Sequence, residues 1–459
     1  MHIRVFAIVT TLVMSSAYGA PQDDELSRLR DEVRQLRQAK EAFEARIGQL
    51  EQRLSATENK SAPAAAVAPA AAGTASIASS NPALSLILSG TYADLQRDPA
   101  SYKIGGFIPG GDELGPGKRG FSLGESELVL SANIDPYFYG KFTAALTGEN
   151  EVEVEEAYVE SLALANGVGV RAGRFFSGIG YLNGQHAHVW DFVDAPLAYQ
   201  AFLGGRLKED GLALRWLAPT ELYVELGAEA LRGAGFPGSE RDRNGFGTQT
   251  LFAHIGGDVG ASHSWRAGLS MLKARPQNRE YDDLDSLGRS VKNGFSGRSR
   301  TLVADAVWKW APEGNAKKTN FKFQGEYFRR RDQGTLEYDR ENSAAGTASD
   351  SYAARQSGFY LQGIYQFMPR WRAGLRYDEL DSGSSMIGLV ENGVLSAADF
   401  PLLEQHKPRR KTFMVDYSPS EFSRVRLQFA RDHARPGAAD SQVFLEYIMS
   451  LGAHGAHQF

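Results

Sequence analysis

Cysteine is absent from all 459 residues. That removes thiol nucleophiles, thiolate metal sites and disulfide bridges. Long apolar runs are missing as well. Beyond residue 20 no stretch of 18 apolar residues occurs, which excludes transmembrane helices. It does not exclude a membrane, because a transmembrane β-barrel alternates apolar with polar residues and keeps its mean hydropathy low. An excess of one charge is lacking too. The formal charge of -5 is too near balance to argue for nucleic acid. No nucleophile or zinc-hydrolase signature is evident, so neither an enzyme nor a cofactor is expected.

What is present falls into four parts. Residues 1–19 read as a secretory signal: His2 and Arg4, an apolar Phe6 to Met14, then Ala17-Tyr18-Gly19 before Ala20. Residues 20–54 read as a coiled-coil domain, with a heptad over 23–54. Leu26, Val33, Lys40, Ile47 and Leu54 share one position, and Leu29, Leu36, Phe43 and Leu50 the other. A long helix with so narrow an apolar seam is stable only against copies of itself, so an α-helical coiled coil is expected. Lys40 in the seam costs stability and helps fix register. Residues 55–83 are rich in Ala, Pro, Ser and Thr and read as a linker.

Residues 84–459 alternate with a period of two, the geometry of strands. Leu222, Val224, Leu226, Ala228 and Ala230 oppose Glu221, Tyr223, Glu225, Gly227 and Glu229. Phe323 and Tyr327 oppose Gln324 and Glu326, and Val425, Leu427 and Phe429 oppose Arg424, Arg426 and Gln428. Links between segments are short on one side and long on the other, at 94–124, 176–208, 232–246, 273–299, 331–355, 381–409 and 433–440, with 148–151 a short exception. Starting at 84–93 and ending at 441–459, the segments number about sixteen, the even count of an outer-membrane barrel. The fold expected is all-β: a transmembrane antiparallel β-barrel behind an N-terminal coiled coil. Tyr137, Phe138, Tyr139, Trp216, Trp308, Trp310, Phe367, Trp371 and Phe422 are expected in interfacial girdles. The crowded Glu151, Glu153, Glu155 and Glu156 break alternation and suggest a bulge or a shifted boundary.

The signal, the heptad with its Ala/Pro linker, Glu155-Glu156-Ala157-Tyr158-Val159 and Val170-Arg171-Ala172-Gly173-Arg174-Phe175 together resemble Gram-negative outer-membrane porins. The type is that of the phosphate-selective (polyphosphate) porin superfamily. Its arginine and lysine ladder is not matched residue by residue. The resemblance implies a homotrimer with a constriction loop in the lumen, set in outer-membrane lipid and lipopolysaccharide and passing small ions or solutes. Phe459 resembles the terminal signal read by the barrel assembly machinery. The stretch GYLNGQHAHVWDFVDAP also resembles outer-membrane proteins labelled metal-regulated or TonB-dependent-receptor-like. No plug domain is read before the barrel, so TonB-driven uptake is not expected.

Segment 176–208 is the expected constriction, with Tyr181, His186, His188, Trp190, Asp191 and Asp194 as its functional side chains. His186 and His188, with Asp191 or Asp194, form a candidate metal set; His454 and His457 are a second His pair. Alternation places Arg215, Glu225, Arg372, Arg376, Arg424 and Arg426 in the lumen, where a water-filled channel would solvate them. The function expected is passive diffusion of small hydrophilic or charged solutes. The alternatives are a metal (zinc)-related outer-membrane transporter or receptor and a structural barrel tethered in the periplasm.

Overall fold

The computed structural model describes residues 82–110, 114–148, 151–239, 243–344 and 346–452. The expected signal, coiled coil and nearly all of the linker, with His454, His457 and Phe459, lie outside the described residues.

Among the described residues, nineteen strands form one sheet. They are β1 (Ala83–Leu95), β2 (Gly120–Leu123), β3 (Ser126–Asn133), β4 (Phe138–Leu146), β5 (Val152–Ser161), β6 (Val168–Phe176), β7 (Lys208–Leu217), β8 (Tyr223–Leu231), β9 (Thr248–Val259) and β10 (His263–Ala274). They continue as β11 (Arg279–Leu284), β12 (Ser290–Trp310), β13 (Asn320–Tyr338), β14 (Ala348–Met368), β15 (Trp371–Asp381), β16 (Met386–Ile387), β17 (Arg409–Ser420), β18 (Ser423–Asp432) and β19 (Asp440–Gly452). Three are short strands within connections: β2 pairs with β1, β11 with β12 and β16 with β14. The other sixteen form a closed antiparallel ring. It is sealed by β1, which pairs with β19 from Ser85↔Gly452 to Leu95↔Gln442 and with β3 from Ala83↔Ser131. Closure leaves no strand edge unpaired, which is the condition for a sheet to stand in hydrocarbon.

Burial follows the period of two. In β9, Thr250, Phe252 and His254 are buried while Leu251 and Ile255 face out. In β13, Gln324, Glu326 and Phe328 are buried while Phe323 and Tyr327 are exposed. The outside is thus apolar and the inside mixed. Exposed aromatics gather near the short turns: Tyr137, Phe138, Trp216, Trp308, Phe367, Trp371 and Phe422. Trp371 packs on Tyr417 with centroids 4.7 Å apart. Tyr139 departs from that expectation. Its alternation points it inward, 6.5 Å from Tyr158.

Several boundaries also differ. Strands β12, β13 and β14 run 21, 19 and 21 residues, about twice what crosses a bilayer. Much of the expected connections 273–299 and 331–355 is therefore strand. The added length is stabilised by a cluster that includes Phe295, Leu336, Tyr338, Tyr352, Leu389 and Phe400. A bulge does occur in β5: Thr143 pairs with Glu156 and Ala144 with Val154, so Glu155 is the extra residue. Glu155 and Glu156 are in consequence both buried on the inside.

The lipid-facing assignment is directly testable. Leu375 is 65% exposed on β15, four residues from Trp371. Leu375→Arg should cost roughly 2–4 kcal/mol if it sits near the bilayer midplane. Denaturant titration of the vesicle-inserted barrel measures this, and an unchanged midpoint would put Leu375 in water.

Candidate functional site

A ring of sixteen strands encloses a lumen too wide for side chains alone to fill. Loop 177–207 folds into it. Asn183 closes the loop's base: Nδ2 donates to the Ser177 carbonyl (2.8 Å) and the Leu207 carbonyl (3.0 Å), and Oδ1 accepts from Leu207 N–H (2.7 Å). All seven residues of its helix, Leu197–Leu203, are buried. Phe202 stacks on Phe328 at 5.6 Å, and Phe107 of the first long loop meets Phe202 edge-on at 5.6 Å. The helix ends have partners of the right sign. Leu197 N–H donates to Asp378 (2.9 Å), and Arg330 Nη1 donates to the Ala201 carbonyl (2.9 Å). Gly204 ends the helix at φ 66°, a left-handed position suited to glycine.

A buried carboxylate fixes the loop's first turn. Glu326 accepts from Tyr181 N–H (3.1 Å), Leu182 N–H (3.0 Å), Tyr199 Oη (3.0 Å) and Tyr360 Oη (2.7 Å).

The middle of the loop is bound to an arginine wall on β15, β17 and β18. Asp191 accepts from Arg372 (3.1 Å) and Gln362 (3.1 Å) and pairs with Lys322. Asp194 accepts from Arg376 (2.9 Å) and Gln428 (2.8 Å) and pairs with Arg410. Arg424 donates to the His188 carbonyl (2.5 Å) and Arg426 to the Trp190 carbonyl (2.9 Å). Burial opposes ionisation of Asp194, but the Arg376 and Arg410 guanidiniums hold its carboxyl below the usual range.

The histidine side chains reach a different wall. His186 Nδ1 lies 3.0 Å from Glu155 and 3.0 Å from Glu127, and its Nε2 lies 2.8 Å from Glu156. His188 Nδ1 lies 2.9 Å from Glu127. Burial works against charge on His186, but these carboxylates raise its pKa well above the usual value. Lys141 pairs with Glu156 at 2.5 Å, and Arg206 spans Glu125 (2.8 Å) and Glu155 (2.7 Å). The carboxylates belong to β3 and β5 and the residue just before β3. In the ring, β5 stands seven strands from β15, close to opposite.

The expected side chains therefore converge, with corrections. Asp191 and Asp194 are partners of arginines, not of His186 and His188; a loop's spacing does not reveal which wall each residue meets. Arg376 and Arg426 are 3% and 1% exposed, so they are buried in ion pairs rather than solvated. Arg372 and Arg424 are partly buried in the same wall. Arg215 and Glu225 face inward apart from these ion pairs; Glu225 accepts from His254 and from Tyr223, each at 2.8 Å. Glu127, Glu155, Glu156, Glu326 and Asn183 were not singled out as site residues. The glutamate run at 151–156 was the available signal. One Gly-x-Ser-x-Gly string, Gly120–Gly124, escapes the sequence expectation. It includes strand β2, where Ser122 Oγ donates to the Thr91 carbonyl at 3.5 Å, not the strand–turn–helix of a nucleophile elbow.

Removing the Glu326 carboxylate should release the loop. Each donor left stranded costs about 1–3 kcal/mol, so Glu326→Ala should abolish slow amide exchange across residues 178–203. Retained protection in hydrogen exchange would contradict this anchoring.

No protein-family profile matches the chain. Among solved structures it is similar to the outer-membrane protein OmpT of Vibrio cholerae. The loop L8 deletion form gives a TM-score of 0.50 at 12% identity, covering 81% of this chain and 99% of that one. The in-vitro folded trimer form gives 0.50 at 10%, covering 80% and 99%. The shared feature is the outer-membrane β-barrel fold. In sequence, 365 residues are 31% identical to a protein of Aquifex aeolicus (strain VF5) described as an uncharacterized protein, covering 74% of this chain and 71% of that protein. The chain belongs to the family of that Aquifex protein.

Proposed function

We propose that this chain is an outer-membrane porin that passes small hydrophilic or charged solutes by passive diffusion, with loop 177–207 as its constriction. One observation carries the reading. A loop buried inside a closed barrel is bound through Asp191 and Asp194 to arginines on one wall and through His186 and His188 to glutamates on another. A conduit needs a wide closed ring, an apolar exterior and a polar obstruction held at fixed height. The likeness in fold to OmpT supports it. Because both signs line the loop, selectivity depends on which charges the loop leaves facing the solute.

OmpT of Vibrio cholerae is described in a trimer form. We extend a trimer to this chain, with the heptad from Leu26 to Leu54 contributing to it, an export signal at residues 1–19, and Phe459 as a contact of the assembly machinery. The reading of phosphate selectivity gains no support from the arginine wall, whose members bind the chain's own aspartates and carbonyls.

Planar-bilayer recording of the purified barrel tests the assignment. Single-channel steps are expected in KCl, and deletion of residues 183–194 should raise conductance several-fold. The double variant Asp191→Asn, Asp194→Asn keeps the chain length and should increase conductance and open-state noise by unpinning the loop. A barrel that never conducts would overturn the porin reading; unaltered conductance in both variants would remove the loop as constriction.

A further inference from the structure

We propose that the junction of loop 177–207 with β3 and β5 is a site for a divalent transition-metal ion of the zinc class, bound by His186 Nδ1, His188 Nδ1 and Glu127, with Glu155 completing the set.

The donors are already assembled. The ligand atoms of Glu127, His186 and His188 all lie within 4.8 Å of one another. Donors of a tetrahedral zinc ion, at roughly 2.0–2.1 Å, stand about 3.3 Å apart. The observed nitrogen–oxygen spacings of 2.9–3.0 Å are those of charge-assisted hydrogen bonds, a few tenths of an ångström short of that separation. Two imidazoles with carboxylates favour zinc and its neighbours over calcium or magnesium, which prefer all-oxygen shells.

A second observation points to the same ligand. His186 Nδ1 has one proton to give and two carboxylate oxygens at 3.0 Å, Glu127 Oε2 and Glu155 Oε2. Glu127 is fully buried, and among the described residues its Oε2 has no hydrogen-bond partner beyond this ion-pair contact with His186. One proton shared between two buried carboxylate oxygens satisfies them only in part, and a cation in its place serves both. The far nitrogen is arranged for this. Glu156, held by Lys141, accepts the Nε2 proton of His186 at 2.8 Å. With the Nε2 proton held there, Nδ1 is the nitrogen that would give up its proton to a metal, the usual support for a metal-bound histidine. Arg206 takes Glu155 Oε1 and leaves Oε2 to the site.

Zinc uptake by the full-length, detergent-folded barrel tests the assignment. The expected result is one zinc per chain by elemental analysis after dialysis, with affinity read by competition with a fluorescent chelator. His188→Ala and Glu127→Gln should each weaken binding at least tenfold, and Glu156→Gln about 10- to 100-fold. His254→Ala, and the pair His454→Ala with His457→Ala, should leave it unchanged. Heat-dependent gel mobility confirms folding of each variant; should Glu127→Gln fail to fold, His188→Ala decides alone. No stoichiometric zinc, or equal losses in the His254 or terminal variants, would overturn the site and make the cluster an imidazolium held by carboxylates. Conductance is recorded separately, so failure of the metal site and failure of the channel reading are distinguishable.

Discussion

Everything in this molecule depends on backbone pairing without an edge. In hydrocarbon an unpaired N–H or C=O has no water to turn to, so β1 must find β19 and β3 at once. Sixteen strands satisfy that demand, but they enclose more space than inward side chains can occupy. The chain fills it with its own loops. Filling brings a second demand, because a loop buried among inward-facing charges must supply a partner for each charge it covers.

Loop 177–207 meets that demand unequally along its length. Its helix buries apolar side chains against Phe328 and Phe107 and offers its two ends to Asp378 and Arg330. Its middle offers carboxylates and carbonyls to arginines. The ion pairs are buried, and breaking one partner of such a pair commonly costs about 3–5 kcal/mol. Asp194 alone is shared by Arg376 and Arg410. These contacts contribute less to net stability than to position: shifting the loop by a few ångströms would strand several charges together. The obstruction in the lumen is therefore held at a defined height rather than left to fluctuate.

The period of two made the barrel legible in the sequence, and the alternation of short and long links made its strand number legible. Strand ends were less so. Strands β12 to β14 continue, with the same period, beyond the length that crosses a bilayer, because the extended rim of the barrel still packs loops against its inner face. The site was half legible. His186, His188, Asp191 and Asp194 stand out in a loop rich in glycine and aromatics. Their partners do not, since Glu127, Glu326 and Arg410 lie far away in sequence and only register brings them near. The Glu155 bulge shows the difficulty at one position. An extra residue turns what looks like broken alternation into two adjacent inward carboxylates, a consequence that depends on pairing with β4 and not on composition.

Counting formal charges along the lumen would not give the selectivity of the proposed channel. Arginines 372, 376, 410 and 426 are engaged with Asp191, Asp194, Asp416, Asp432 and Glu446, and the glutamates of β3 and β5 with histidines, Lys141 and Arg206. The field a solute meets is the residue left after this cancellation, and the loop is the element that performs it. It joins the arginine wall to the glutamate wall through the segment from His186 to Asp194. Displacing that segment uncovers positive charge on one wall and negative charge on the other at the same time. In the proposed channel, pore size and pore field would both be set by this short stretch of chain, and any cation seated at His186 and His188 would bear on both.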